Sequence, residues 1–99
     1  VYFSGRPCLF FLSASGRQST GANALMVCSF FIQIDAGADN LVCDWTTNLF
    51  DNHQATSGAV IITPSQGLHT VNLRANRTTG GNTFALDGSD FIRLVKVDL

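Results

Sequence analysis

The sequence predicts an all-β domain, an antiparallel sandwich or barrel of about eight short strands. Segments rich in Phe, Val, Ile and Thr recur between clusters of Gly, Asn, Ser and Asp, at intervals of roughly 8–12 residues. Glu is absent and Lys96 is the single lysine beside five arginines, so the usual residues of exposed helices are missing. No stretch carries a 3.6-residue period, whereas period-2 alternation is plain in several.

The elements follow in order. Val1–Phe3 is short and ends at "SGRP". Pro7–Ser13, "PCLFFLS", is apolar on both alternating faces, with Leu9 and Phe11 on one and Cys8, Phe10 and Leu12 on the other. "SASGRQSTGAN" at 13–23 reads as a long loop. Leu25–Asp35 gathers Met26, Cys28, Phe30, Ile32 and Ile34 on one face, against Leu25, Val27 and Phe31. "DAGADN" turns the chain into Leu41–Thr47, and "NLFDNH" separates that strand from Ala55–Ile62.

In Leu68–Asn76, His69, Val71, Leu73 and Ala75 share a core-facing side, with Thr70, Asn72, Arg74 and Asn76 opposite. "TTGGN" supplies glycines for a tight reversal into Asn82–Leu86, so Gln66–Thr83 is expected to be a hairpin. After "DGSD", Phe91–Leu99 closes the fold, with Ile92 and Leu94 opposite Phe91, Val95, Val97 and Leu99.

Ninety-nine residues make one domain, yet 45% are hydrophobic and only 13% charged. Strands that are apolar on both faces are ordinarily buried on both. In one small two-layer chain the outer face should be wet. The expectation is therefore that one sheet packs on the core inside and on neighbouring subunits outside. A net charge of −1 gives no footprint for nucleic acid, and no apolar run is long enough for a membrane span. Cys8, Cys28 and Cys43 form no CxxC pair and are read as reduced thiols from a reducing compartment. A start at Val1 rather than Met reads as a processed product or a fragment.

Few residues invite chemistry. Trp45 precedes "TTNLFDNHQ", where Asn48, Asp51, Asn52 and His53 lie close in sequence. An aromatic ring beside amides and a carboxylate is a way to grip a sugar; the alternative is a core Trp next to a polar loop. Arg17, Gln18 and Asn23 in the 13–23 loop are the second set of ligand candidates. His69 is expected to be a buried neutral histidine with one partner, and His53 a surface one. Two widely separated histidines without Glu make a poor metal set, and no cofactor is implied. Asp35, Asp39, Asp87 and Asp90 stand in turn motifs, where such side chains bond local backbone, rather than as a glycosidase pair. There is no GxSxG and no phosphate loop, so a non-catalytic domain is expected.

"GRPCLFFLSAS", the long strand ending "IQIDAG", "PSQGLHTVNLRANRTTGGNTFAL" and the terminal "FIRLVKVDL" together resemble the small jelly-roll heads of phage tail fibres and related virion proteins. The likeness runs from Gly5 to Leu99 as short phrases. It departs at "PSQGLH", which is more compact in that group, and at Phe10–Phe11. It implies a jelly-roll-like β-sandwich and a homotrimer, akin to tumour-necrosis-factor-like and C1q-like heads. It also implies a place on the virion surface, as the host-attachment head of a fibre binding a glycan or protein through three weak sites. A capsid decoration protein clamped on the shell and a free lectin are the alternatives. No ligand residues transfer, because such heads bind through loops that differ from one to the next.

Overall fold

The computed structural model describes residues 1–19 and 21–99. It is all-β, with nine strands: β1 (Tyr2–Phe3), β2 (Cys8–Gln18), β3 (Met26–Ile34), β4 (Asp39–Thr47), β5 (Gln54–Ile62), β6 (Gly67–Leu68), β7 (Val71–Thr79), β8 (Phe84–Ala85) and β9 (Ile92–Asp98). Every ladder between them is antiparallel. One sheet has β2 at its centre, with β5 along one side and β9 then β8 along the other. The second is β4-β3-β7, and β1 with β6 forms a small third ladder. The first and last long strands, β2 and β9, are thus neighbours in a jelly-roll-like antiparallel sandwich.

Alternation decides what each sheet buries. Cys8, Phe10, Leu12 and Ala14 of β2 face Met26, Cys28, Phe30 and Ile32 of β3, and all eight are buried. Phe3 and Trp45 fill the two ends of this layer. Near the middle of the β3–β4 hairpin the register slips between Phe30 and Phe31, so Val42 is the extra residue of a bulge and is itself buried. Cys8, Cys28 and Cys43 are free thiols, and burial pushes each of them up from its ordinary pKa.

The sandwich is closed along only one flank. There β4 and β5 touch, and Gly58 makes this approach possible: a Cβ would lie 2.4 Å from the Val42 carbonyl oxygen. Among the described residues, no comparable contact joins β7 and β9 on the other flank. Ile92 and Leu94 face inward by register, opposite Ala14 and Leu12, yet stay 41% and 37% exposed.

Several boundaries differ from the sequence expectation for identifiable reasons. Strand β2 runs to Gln18, so most of the expected 13–23 loop is strand; Thr20 of that loop lies outside the described residues. Small residues Ser13 to Gly16 pair with Ser57 to Gln54, where a turn had been read from composition. The expected hairpin of Gln66–Thr83 is not one. Strand β7 pairs with β3 and β8 with β2, so the glycine turn carries the chain from one sheet to the other. The cause is Phe84, whose ring turns into the core edge-on to Trp45 (4.9 Å) and Phe30 (5.8 Å).

Candidate functional site

The sequence-predicted residues meet at one end of the sandwich, where β2 runs out. Gln18, its last residue, is fully buried rather than projecting. Its Nε2 donates to the Ala24 carbonyl (2.9 Å), and its Oε1 accepts from Asn82 Nδ2 (2.5 Å). Its own carbonyl accepts from the Asp51 N–H (3.1 Å). Asn82 also donates to the Ala22 carbonyl (3.0 Å). The buried side-chain amide of Gln18 therefore ties together the segments around 22–24 and 82, and its main-chain carbonyl adds residue 51.

The outer contacts repeat the same joint. Asn23 Oδ1 accepts from the Phe50 N–H at 2.7 Å, and the Arg17 guanidinium pairs with Asp51 at 2.7 Å. Asp51 adopts a left-handed φ of 56°, which an Asp side chain tolerates, and this turns the loop back across β2. Asn48, Leu49, Phe50 and Asn52 are left exposed above it.

Trp45 does not belong to this surface. Its indole is 1% exposed, and Nε1 donates to the Gln54 carbonyl at 3.0 Å. The sugar-platform reading of Trp45 is therefore corrected to a core residue. Alternation within β4 places it inward, opposite Cys28. The exposed aromatic of the loop is Phe50, 40% accessible, next to Leu49 at 45%. The only sequence signal for it was an apolar pair interrupting a run of amides.

His53 lies beside this cluster but is not a bare surface histidine. Its Nδ1 is 3.1 Å from Asp90 Oδ1 and its Nε2 is 3.3 Å from Asp87 Oδ2. Both neighbours are carboxylates, which favour the protonated form of the ring. The hydrogen bond to Asp90 leads in raising the His53 pKa, against partial desolvation. The two aspartates are also held as turn residues. Asp87 Oδ1 accepts from the Ser89 N–H and hydroxyl, and Asp90 Oδ2 accepts from the Asp87 N–H. Each carboxyl is lowered, chiefly by those backbone bonds. The three side chains offer ligand atoms within 4.8 Å of one another. A cation there would have to compete with the hydrogen bond between His53 and Asp90.

The opposite end holds Asp35, His69 and Ser65, and these have the residue types of a nucleophilic triad. His69 Nδ1 is 2.6 Å from Asp35 Oδ2, and Nε2 is 3.3 Å from Ser65 Oγ. Nε2 is closer, at 2.8 Å, to the Ser65 carbonyl. A nitrogen donating to a carbonyl has no lone pair with which to accept the serine proton. The arrangement is a clamp instead. The His69 main chain exchanges bonds with Val1, its ring packs edge-on to Phe3, and Asp35 Oδ1 accepts from the Thr70 N–H. The expected neutral histidine with one partner is thus corrected: the ring sits between three oxygens and its pKa is raised, first by Asp35. Asp35 is lowered in turn, first by His69.

Both clamps give a pH dependence of defined sign. A histidine raised from 6.5 stabilises the fold fully below that value, and the gain is lost as pH climbs through the folded pKa. Carboxyls lowered from 3.8 stabilise fully above that value and lose the gain as pH falls through theirs. Thermal unfolding from pH 3 to 9 should therefore give its highest Tm between about 4 and 6.5, declining on both sides. His69→Asn should flatten the alkaline limb. A wild-type Tm that stayed level from pH 6 to 9 would contradict the charged-ring geometry.

Compared with family models, curated proteins and solved structures, the chain matches none.

Proposed function

We propose that this chain is a non-catalytic, multivalent binding domain: the trimeric head of a phage fibre, contacting a host-surface glycan or protein through the loop cluster at the end of β2. The observation that carries the reading is the joint at Gln18. It holds Phe50 and Leu49 exposed beside Asn23, Asn48 and Asn52 on a framework of hydrogen bonds around the buried Gln18. An apolar ring flanked by amides packs on the apolar face of a sugar while the amides take its hydroxyls. A single shallow site of this kind binds weakly, and repetition on three subunits turns weak contacts into firm attachment. The strand phrases shared with phage-fibre heads supply the virion setting.

The test is binding of the purified chain to a glycan panel and to bacterial cells, wild type beside Phe50→Ala. Phe50 is a surface residue, so its removal should leave the fold intact. Loss of a sugar stack should weaken retention roughly 5- to 30-fold per site, the scale of 1–2 kcal/mol. Wild-type retention unchanged in Phe50→Ala would move the ligand off this loop. No retention on any glycan or cell surface would sink the attachment reading.

A further inference from the structure

The outer face of the β5-β2-β9 sheet shows the chemistry of a core on the outside of the molecule. Register places Ile61, Leu9 and Val97 in one cross-strand row and Ala59, Phe11 and Val95 in the next. Ile61 is 61% exposed, Val95 51%, Val97 44% and Phe11 43%. The polar outer face of the other sheet makes the contrast: Ser29, Gln33, Asp44, Thr46, Asn72, Arg74 and Asn76 point outward there, beside Val27, Phe31 and Leu41. We infer that copies of this chain associate through the apolar outer face of β5-β2-β9, with β9 at the seam.

The occupant is a second copy of the chain for three reasons. At the usual sizes of these side chains, the exposed part of this face is about 400–500 Å², in the upper half of the range for a lone monomer's largest patch and more than half of the roughly 800 Å² a partner gives a standard interface. The two rows carry no charge, so identical faces meet without repulsion, while Ser13, Ser57 and Arg93 form the next row as a polar margin. Finally, the second edge of β9 has no partner strand among the described residues, and its outward residues Val95 and Val97 put no charge on the apolar rows. An identical chain is the partner guaranteed to be present wherever this one is made. The inference deepens the proposed function and rests on it for the number of copies.

The test is light scattering after size exclusion, at two concentrations, on wild type, Phe11→Lys, Val95→Lys and Leu41→Lys. Leu41 is 53% exposed on the outer face of the other sheet and serves as the control. Wild type and Leu41→Lys should run as oligomers, and the two β5-β2-β9 variants should fall to the 10.6 kDa of one chain. Circular dichroism and melting confirm that each variant is folded. Hydrogen exchange on wild type gives a readout that needs no variant: amides of Leu9–Ser13 and Ile92–Asp98 should gain protection as concentration rises.

An oligomer that survives both lysines, with no such protection, overturns this interface and leaves multivalent attachment standing. A wild type that stays monomeric at both concentrations overturns both. Adsorption of that monomer to phosphatidylcholine vesicles would reassign the face to a lipid surface.

Discussion

Trp45→Ala should lower the stability of the fold by about 3–5 kcal/mol, and its Tm by roughly 15–30 °C. The indole is 1% exposed and stands at the end of the core, where β4 pairs with β3. Phe84 leans edge-on against it at 4.9 Å, and Phe84 is what draws β8 across to the other sheet. Removing the ring therefore opens a large cavity and loosens the chain reversal after β7. Trp45→Phe separates the contributions: most of the packing is kept, while the Gln54 carbonyl loses its donor. That variant should lose about 1–2 kcal/mol. Urea unfolding of the three proteins checks both values. Because Trp45 does not reach the surface, Trp45→Phe should bind any ligand as wild type does. A stability loss below about 1 kcal/mol for Trp45→Ala would mean an exposed ring, and the sugar-platform reading would return.

How much was legible follows from what alternation can and cannot carry. Period-2 spacing placed Cys8, Phe10 and Leu12 on the face opposite Leu9 and Phe11, and the register agrees residue for residue. It also separated Ile92 and Leu94 from Val95 and Val97 in the final strand, as the register shows. Composition was the weaker guide. "SASG" looks like loop, yet small residues are what β2 needs where Phe84 crosses: a Cβ on Gly16 would lie 2.4 Å from that ring. "TTGGN" looks like a hairpin, but whether the outgoing strand pairs with its predecessor or with another sheet depends on where Phe84 finds room.

The site was legible only as a list of polar residues. That Arg17 meets Asp51, and that His53 sits between Asp87 and Asp90, are contacts across more than thirty positions of chain. Local sequence holds no record of such pairs. Trp45 shows the same limit: its neighbours in sequence are polar, but its neighbours in space are Phe84 and Cys28. Of the two readings open in the sequence, the structure selects the core Trp beside a polar loop.

Gln18 is where fold and site depend on the same side chain. A fully buried amide has four hydrogen-bonding sites to satisfy, and here it answers the Ala24 carbonyl with Nε2 and Asn82 with Oε1. Gln18→Ala removes both bonds and leaves a cavity, at an expected cost of about 2–4 kcal/mol. Gln18→Met keeps nearly the same volume and removes only the bonds, so it should cost about 1–2 kcal/mol. The larger consequence is local. With the tether gone, the segments around 22–24 and 82 lose their common anchor, and amide exchange there should quicken in both variants while the β2–β3 core stays protected. Retention on a glycan or cell surface should fall with it, although Gln18 touches no ligand, because the segment that carries Asn23, and through it the Phe50 N–H, would lose its anchor to the sandwich. Intact retention in a Gln18→Met protein whose loops exchange freely would show that the binding surface does not need this joint, and would direct the search to the other end of the sandwich, around Asp35 and His69.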